Sequence, residues 1–156
     1  MAIIERPTTA PAVPAVATPS SSLGALKRPM MESGWKSWLF TVDHKKIGIM
    51  YGAVAMFFFI VGGVEALLIR LQLALPEGKI LNVDVYNQMF TMHATTMVFL
   101  FAMPMAAAFA NYFLPLQIGA RDVAFPRLNA LSLWLLVVGG IVLNASWFLG
   151  GAADGG

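Results

Sequence analysis

The chain has 156 residues, of which 58% are hydrophobic and only 12% are charged, and its mean hydropathy is +0.73. Soluble domains are roughly half apolar and one-quarter charged, so this balance predicts a membrane protein. The formal charge of +2 is small and does not suggest a nucleic-acid partner, and the lack of cysteine excludes disulfides and thiolate metal sites.

The N-terminal region divides into two segments. Residues 1–34 are rich in Ala, Pro, Ser and Thr and lack helical periodicity, so we predict a disordered arm without a cleaved signal peptide. Residues 35–46 interleave aromatic and basic side chains, which is typical of a bilayer surface and predicts a short interfacial helix. We interpret His44, beside two lysines, as a solvated structural residue rather than a ligand.

Three apolar runs follow, near residues 47–73, 87–113 and 129–149. Each reaches the roughly 20 residues that a spanning helix needs, so the sequence predicts an all-α membrane protein with three transmembrane helices. Basic residues concentrate before the first run and in the loop after the second. The positive-inside rule therefore predicts a cytoplasmic N-terminus and an outward-facing loop at residues 74–86. The chain stops in GGAADGG, a loop-like ending that we interpret as a truncation.

Two charged residues interrupt the first span. Arg70 lies near its outer end, where the side chain can extend to the interface. Glu65 lies roughly 8 Å deeper and must be protonated, paired or facing a polar cavity. The two residues project about 140° apart on a helix, so they are not a natural pair.

Two pairs of adjacent glycines predict close contacts between helices. Gly62 and Gly63 lie in the first span, and Gly139 and Gly140 lie in the third. The third span also contains Asn144, which needs an interhelical partner, and Trp147, which marks the outer interface.

His93 lies inside the second span and is a candidate metal ligand, because an intramembrane imidazole requires a partner. The alternative is a hydrogen bond to a neighbouring helix. His93 and Arg70 share the outer third of the membrane, and a haem held by His93 could be contacted by the guanidinium. His44 lies near the opposite face, so this chain cannot complete a six-coordinate site alone. Pro104 is expected to kink this span, and its methionines are interpreted as core filler rather than a copper site.

The loop after the second span holds a further polar group. Asn111 and Asn129 flank it, and Asp122 lies between Arg121 and Arg127. Two amides beside a carboxylate can support a file of water molecules. An ordinary ion-paired turn explains the same spacing.

Four segments, WLFTVDHKKIGIMY, LIRLQL, MHATTMVFLFAMP and NYFLPLQIGARDVAFPRLNALSLW, resemble the opening of subunit I of the haem–copper oxidases, the terminal oxidases of aerobic respiration. The similarity covers roughly residues 35–156 and implies that the chain supplies three of about twelve helices. It implies that the complete subunit oxidises cytochrome c, reduces oxygen to water and moves protons across the membrane.

The resemblance also implies roles for particular residues. His93 matches an axial ligand of the low-spin haem A, with haem O as an alternative, and Arg70 matches the residue that contacts the haem formyl group. Asp122 matches the entrance of the D proton pathway, accompanied by Asn111 and Asn129. This match favours the proton-pathway interpretation of the loop over an ordinary ion-paired turn. Copper, the second haem and all catalytic residues are expected in the C-terminal part of the subunit, so the fragment is not catalytically complete.

The implied partners are the remaining helices of subunit I, oxidase subunits II and III, cytochrome c and the lipid bilayer. The Pro/Ala-rich arm favours a bacterial plasma membrane. The sequence does not distinguish a cytochrome c donor from a quinol. Gln72 stands where some family members have Glu near an outer cation site, so no such site is predicted. Two alternatives remain: a non-catalytic membrane packing subunit, and a small proton channel or transporter that uses Glu65 and Asp122.

Overall fold

The computed structural model describes residues 34–74, 76, 78 and 80–154. Within these ranges the chain is helical without any β-strand, and three helices are long and apolar enough to cross a membrane, which confirms the predicted class. The predicted disordered arm, residues 1–34, lies outside the described residues apart from Gly34. The elements are α1 (Lys36–Leu39), α2 (His44–Gln72), α3 (Val83–Thr95), a π-helical segment (Thr96–Ala102), α4 (Met103–Gln117) and α5 (Pro126–Ala145).

The first span begins at a capping residue. Asp43 has an extended backbone, and its carboxylate accepts a hydrogen bond from the Lys45 backbone N–H at 3.0 Å. Such a cap satisfies one of the donors at a helix start. Because α2 therefore begins at His44, three residues before the apolar run, the end of the predicted interfacial segment belongs to the first span, and only Lys36–Leu39 form a separate short helix.

The second span is one helix of 35 residues, Val83–Gln117, and extends beyond the apolar run at both ends. Asn82 caps its start by accepting a hydrogen bond from the Val85 backbone N–H at 2.8 Å, so polar residues also join the helix. The turns widen in the π-helical segment just before Pro104. Proline has no N–H and clashes with the carbonyl four residues earlier, and π-helical turns are one way in which a helix accommodates such a defect.

The third span, α5, runs from Pro126 to Ala145. Its start lies before the predicted start at 129, and its end lies before the predicted end at 149. Proline is favoured in the first turn of a helix because its missing N–H has no partner there anyway. At the other end, the Ser146 hydroxyl donates to the Leu143 carbonyl at 2.6 Å, and the chain continues in turns.

Helix α2 lies against both other spans, and α5 contacts α2 and the π-helical segment. A buried cluster of Ile47, Tyr51, Ala108 and Leu133 joins all three. Gly48 allows the closest approach between α2 and α4, because a Cβ atom there would lie 3.0 Å from the Ala108 carbonyl oxygen.

The glycine pairs separate into one packed and one open member each. A Cβ atom at Gly62 would lie 2.8 Å from Met97 Sδ, and one at Gly140 would collide with the Phe58 ring. A Cβ atom at Gly63 or Gly139 would meet nothing within 4 Å. Of these four paired glycines, only Gly62 and Gly140 therefore contribute close contacts between the described helices.

The loop between the first two spans folds around Gln72. Its Nε2 donates to the Gly78 carbonyl at 2.6 Å, and its Oε1 accepts from the backbone N–H groups of Ile80 and Leu81 at 3.0 and 2.8 Å. Both ends of the amide are thus used to hold the loop that leads into α3.

Candidate functional site

His93 lies on α3 and faces the packed glycine of α2. Its Nδ1 atom is 2.8 Å from the carbonyl oxygen of Gly62. His93 therefore makes the hydrogen bond to a neighbouring helix that was the alternative to metal binding. This bond uses only one of the two ring nitrogens.

The hydrogen bond fixes the tautomer of His93. A carbonyl oxygen only accepts, so Nδ1 carries the proton and the Nε2 lone pair remains available. Among the described residues Nε2 has no hydrogen-bond partner, and it is not sealed from solvent by them. A ring oriented through one nitrogen with the other available is the usual arrangement of a metal-binding histidine, so His93 fits an axial haem ligand.

Glu65 lies one helical turn beyond Gly62 on α2. It is 5% exposed, and its Oε2 atom is buried without a hydrogen-bond partner among the described residues. The side chains of His93 and Trp147 lie near its carboxyl group. Glu65 therefore faces a polar junction formed by His93 of α3 and by Trp147, which lies in the turns after the end of α5.

Arg70 lies eight residues beyond Gly62, about 12 Å further along α2. It is exposed, and it has no acidic partner among the described residues. Arg70 therefore lies about 12 Å along α2 from the carbonyl group that holds His93.

Within the described ranges, 34–74, 76, 78 and 80–154, no group of three or more His, Cys, Asp or Glu side chains is placed to hold a metal ion.

At the opposite end of the bundle, Asp122 meets a residue from α2. His44 Nδ1 lies 3.2 Å from Asp122 Oδ1, and the two side chains are only 6% and 9% exposed. The interpretation of His44 as a solvated residue is therefore wrong. The Asp43 cap starts α2 just before His44, and the helix start carries the imidazole toward the loop that follows α4 rather than into water.

The two asparagines do not hydrogen-bond to Asp122. Asn111 donates to the carbonyl of Ala107 on its own helix at 2.9 Å. Asn129 Nδ2 is buried and has no partner among the described residues. The structure thus brings Asp122 together with His44. The buried amide nitrogen of Asn129 is left as a donor without an acceptor among the described residues.

Two further hydroxyl groups lie near Asn129, that of the exposed Ser132 and that of the buried Tyr51. Ser132 donates to the Asn129 carbonyl at 2.7 Å, and its Oγ lies 2.8 Å from the hydroxyl of Tyr51 on α2. Tyr51, Ser132 and the pairing of His44 were not predicted from the sequence. The pairing of His44 could have been predicted from topology. The basic residues place the start of the first span and the loop around residue 120 on the same side of the membrane, where His44 and Asp122 can meet.

Residues 46–156 match the protein family described as cytochrome c and quinol oxidase polypeptide I. The chain belongs to this family. Family membership agrees with the three spanning helices and makes the chain part of a multi-pass membrane protein.

Curated relatives of the polypeptide I family include proteins named cytochrome c oxidase and proteins named quinol oxidase. Cytochrome c oxidase subunit 1 of Bacillus subtilis strain 168 is 60% identical over 119 residues, 76% of this chain and 19% of the relative. The corresponding subunit of Corynebacterium efficiens is 52% identical over 126 residues, 79% of this chain and 22% of the relative. Quinol oxidase subunit 1 of Bacillus subtilis strain 168 is 48% identical over 122 residues, 78% of this chain and 19% of the relative. The chain thus spans about a fifth of the length of these relatives.

Proposed function

We propose that the chain is the N-terminal part of the catalytic subunit of a respiratory terminal oxidase, which oxidises cytochrome c, reduces oxygen to water and pumps protons. Membership of the polypeptide I family and relatives named as oxidase subunits support this proposal. Because the chain spans about a fifth of those relatives, the oxygen-reducing centre belongs to the remaining helices of subunit I.

The observation that carries the proposal is the hydrogen bond from His93 to the Gly62 carbonyl. It holds the ring with Nε2 available, and we assign Nε2 as one axial ligand of a low-spin haem. A haem bound there supplies one-electron transfer. The chain's own contribution is to fix the tautomer and direction of the ring, and the packed glycine assists by bringing α2 close to the π-helical segment that directly follows α3.

We assign Arg70 to the edge of the same haem, as a donor to the formyl group of haem A; haem O, which lacks that acceptor, is the alternative. Arg70 is exposed and lies about 12 Å along α2 from the residue that orients His93. A guanidinium presents a planar fork of hydrogen-bond donors, and a carbonyl oxygen at the edge of the haem can accept from it.

At the opposite end, we assign Asp122 as the entrance of a proton pathway, with Asn111 and Asn129 beside it. The buried pair with His44 supports this role, because an imidazole and a carboxylate 3.2 Å apart can both hold a proton. The unused Asn129 donor and the Ser132–Tyr51 hydroxyl pair supply polar groups further inside.

We propose a bacterial plasma membrane with a cytoplasmic N-terminus, and oxidase subunits II and III as partners. The matched relatives are bacterial, and the basic residues lie before the first span and in the Asp122 loop. We propose cytochrome c as the electron donor because relatives at 60% and 59% identity are named cytochrome c oxidase, and a quinol is the alternative because a relative at 48% identity is named quinol oxidase.

The test is a matched pair of histidine substitutions in the full-length protein. His93→Asn is expected to abolish the low-spin haem absorption band and oxygen consumption. His44→Asn, the control at the other histidine, is expected to leave that band unchanged. An unchanged band in His93→Asn would refute the haem assignment, and absence of any haem band from the purified full-length protein would favour the packing-subunit alternative.

A further inference from the structure

A short segment before the first span presents large aromatic side chains outward. Trp35 is 70% exposed, Trp38 41% and Phe40 75%. All three lie in or next to α1, only a few residues before the spanning helix α2 begins at His44. Amphipathic rings in this position typically lie at the level of the lipid headgroups.

Hydrogen bonds hold this segment against the bundle. Trp134 of α5 donates its indole N–H to the Leu39 carbonyl at 3.2 Å, which fixes the C-terminal end of α1. The Lys46 ammonium donates to Ser37 Oγ at 3.3 Å and lies 5.5 Å from the centre of the Trp38 ring. The segment is therefore a fixed surface rather than a free tail.

The charge of this surface is positive. Lys36 and Lys45 are exposed, and neither has an ion-pair partner among the described residues. Asp43 is the one acidic residue between positions 35 and 46, and its carboxylate is used by the Lys45 backbone N–H at 3.0 Å. Two lysine side chains thus remain available beside the aromatic rings.

We propose that this headgroup surface, formed by Trp35, Lys36, Trp38, Phe40 and Lys45, binds an anionic phospholipid in the membrane leaflet on the Asp122 side. Lys36 and Lys45 contact the phosphate, and the rings lie against the upper part of the acyl chains. The charge complements the lipid, and the few residues between α1 and the spanning helix place the surface at headgroup depth. His44 lies between Asp43 and Lys45, so the bound headgroup neighbours the His44–Asp122 pair.

The experiment is native mass spectrometry of the full-length protein, purified with its bound subunits and titrated with phosphatidylglycerol or phosphatidylcholine. The double substitution Lys36→Gln/Lys45→Gln is expected to weaken retention of phosphatidylglycerol by about 10- to 30-fold, since each lysine near an anionic surface contributes roughly fivefold. The matched control Lys36→Arg/Lys45→Arg keeps both charges and is expected to retain the lipid.

Trp35→Ala is expected to reduce retention of both lipids, because the ring contributes apolar contact rather than charge. Equal phosphatidylglycerol binding by the wild type and the Lys→Gln variant would overturn the proposal. So would equal affinity of the wild type for the two lipids, or protection of the three rings by a bound subunit. Lipid retention is read from mass, so the result does not depend on oxidase activity.

Discussion

The two histidines of the chain use the same ring nitrogen in different surroundings. Nδ1 of His93 bonds to the Gly62 carbonyl and Nδ1 of His44 to the Asp122 carboxylate, at 2.8 and 3.2 Å. Nε2 of His44 is buried without a partner, whereas Nε2 of His93 is not sealed by the described residues. Only His93 therefore offers a nitrogen that a large cofactor can reach, and only His44 is placed to share a proton with a carboxylate.

Replacement of Arg70 tests the haem edge. If Arg70 donates to the haem formyl oxygen as proposed, Arg70→Met in the full-length protein removes that charged donor, and we then expect the low-spin absorption band to move to shorter wavelength. The same loss is expected to lower the midpoint potential on the order of 50 mV, since 59 mV corresponds to a tenfold change for one electron. Redox titration followed by visible absorption measures both. Arg70→Lys keeps the charge without the planar fork and should give an intermediate shift, and an unchanged potential in Arg70→Met would contradict the assignment.

Replacement of His44 tests the buried pair. His44→Ala leaves the 9% exposed Asp122 carboxylate without its imidazole, and we expect a loss of about 1–3 kcal/mol of stability. Thermal unfolding in detergent measures it. Lys45→Ala is the matched control, because Lys45 is the next residue in α2 and its side chain is exposed. Its hydrogen bond to Asp43 uses the backbone N–H, which the substitution retains. Equal unfolding temperatures for the two variants would show that the His44–Asp122 contact contributes nothing.

At the level of helices, the apolar runs were sufficient to predict three spans but not where each helix begins or ends. Asp43 and Asn82 set two of the starts through side-chain caps, which lie outside the apolar runs. The glycine pairs show a second limit. Adjacent residues project about 100° apart, so one member of each pair faces a neighbour and the other does not. Composition alone cannot identify which member, because that depends on how the helices are rotated in the bundle.

Two glycines of α2 give a prediction about helix packing. Gly48→Ala would place a methyl group 3.0 Å from the Ala108 carbonyl oxygen, which cannot move without shifting α4. We expect a loss of roughly 1–3 kcal/mol of stability from the strain. Gly63→Ala, in the same helix, meets nothing within 4 Å and is expected to be neutral or stabilising by up to about 1 kcal/mol. Thermal unfolding of the two variants measures the difference, and similar losses in both would contradict this packing of α2 on α4.

At the scale of the whole molecule, the two polar groups lie at opposite ends of the bundle. The His44–Asp122 pair and the Glu65–His93 junction are separated along α2 by about 32 Å, close to the roughly 30 Å thickness of the hydrocarbon core. From the first pair, polar side chains extend inward only to Tyr51, about 10 Å along the helix. The next buried residues on α2 are Ala55 and Phe58, which carry no polar side-chain atoms. The family resemblance supplied the roles of both ends, whereas the separation between them required the structure.

This separation predicts that the 156-residue chain alone does not conduct protons. Beyond the Tyr51–Ser132 hydroxyl pair the next buried residues on α2 are apolar, so no hydrogen-bonded route continues to Glu65 within the described helices. Liposomes containing the chain and an internal pH-sensitive dye should show the same flux after an acid pulse as empty liposomes. Flux that Asp122→Asn or Glu65→Gln abolishes would instead support the channel alternative. In the full-length protein, Asp122→Asn should slow oxygen consumption while leaving the haem spectrum unchanged, because the entrance lies about 30 Å from His93.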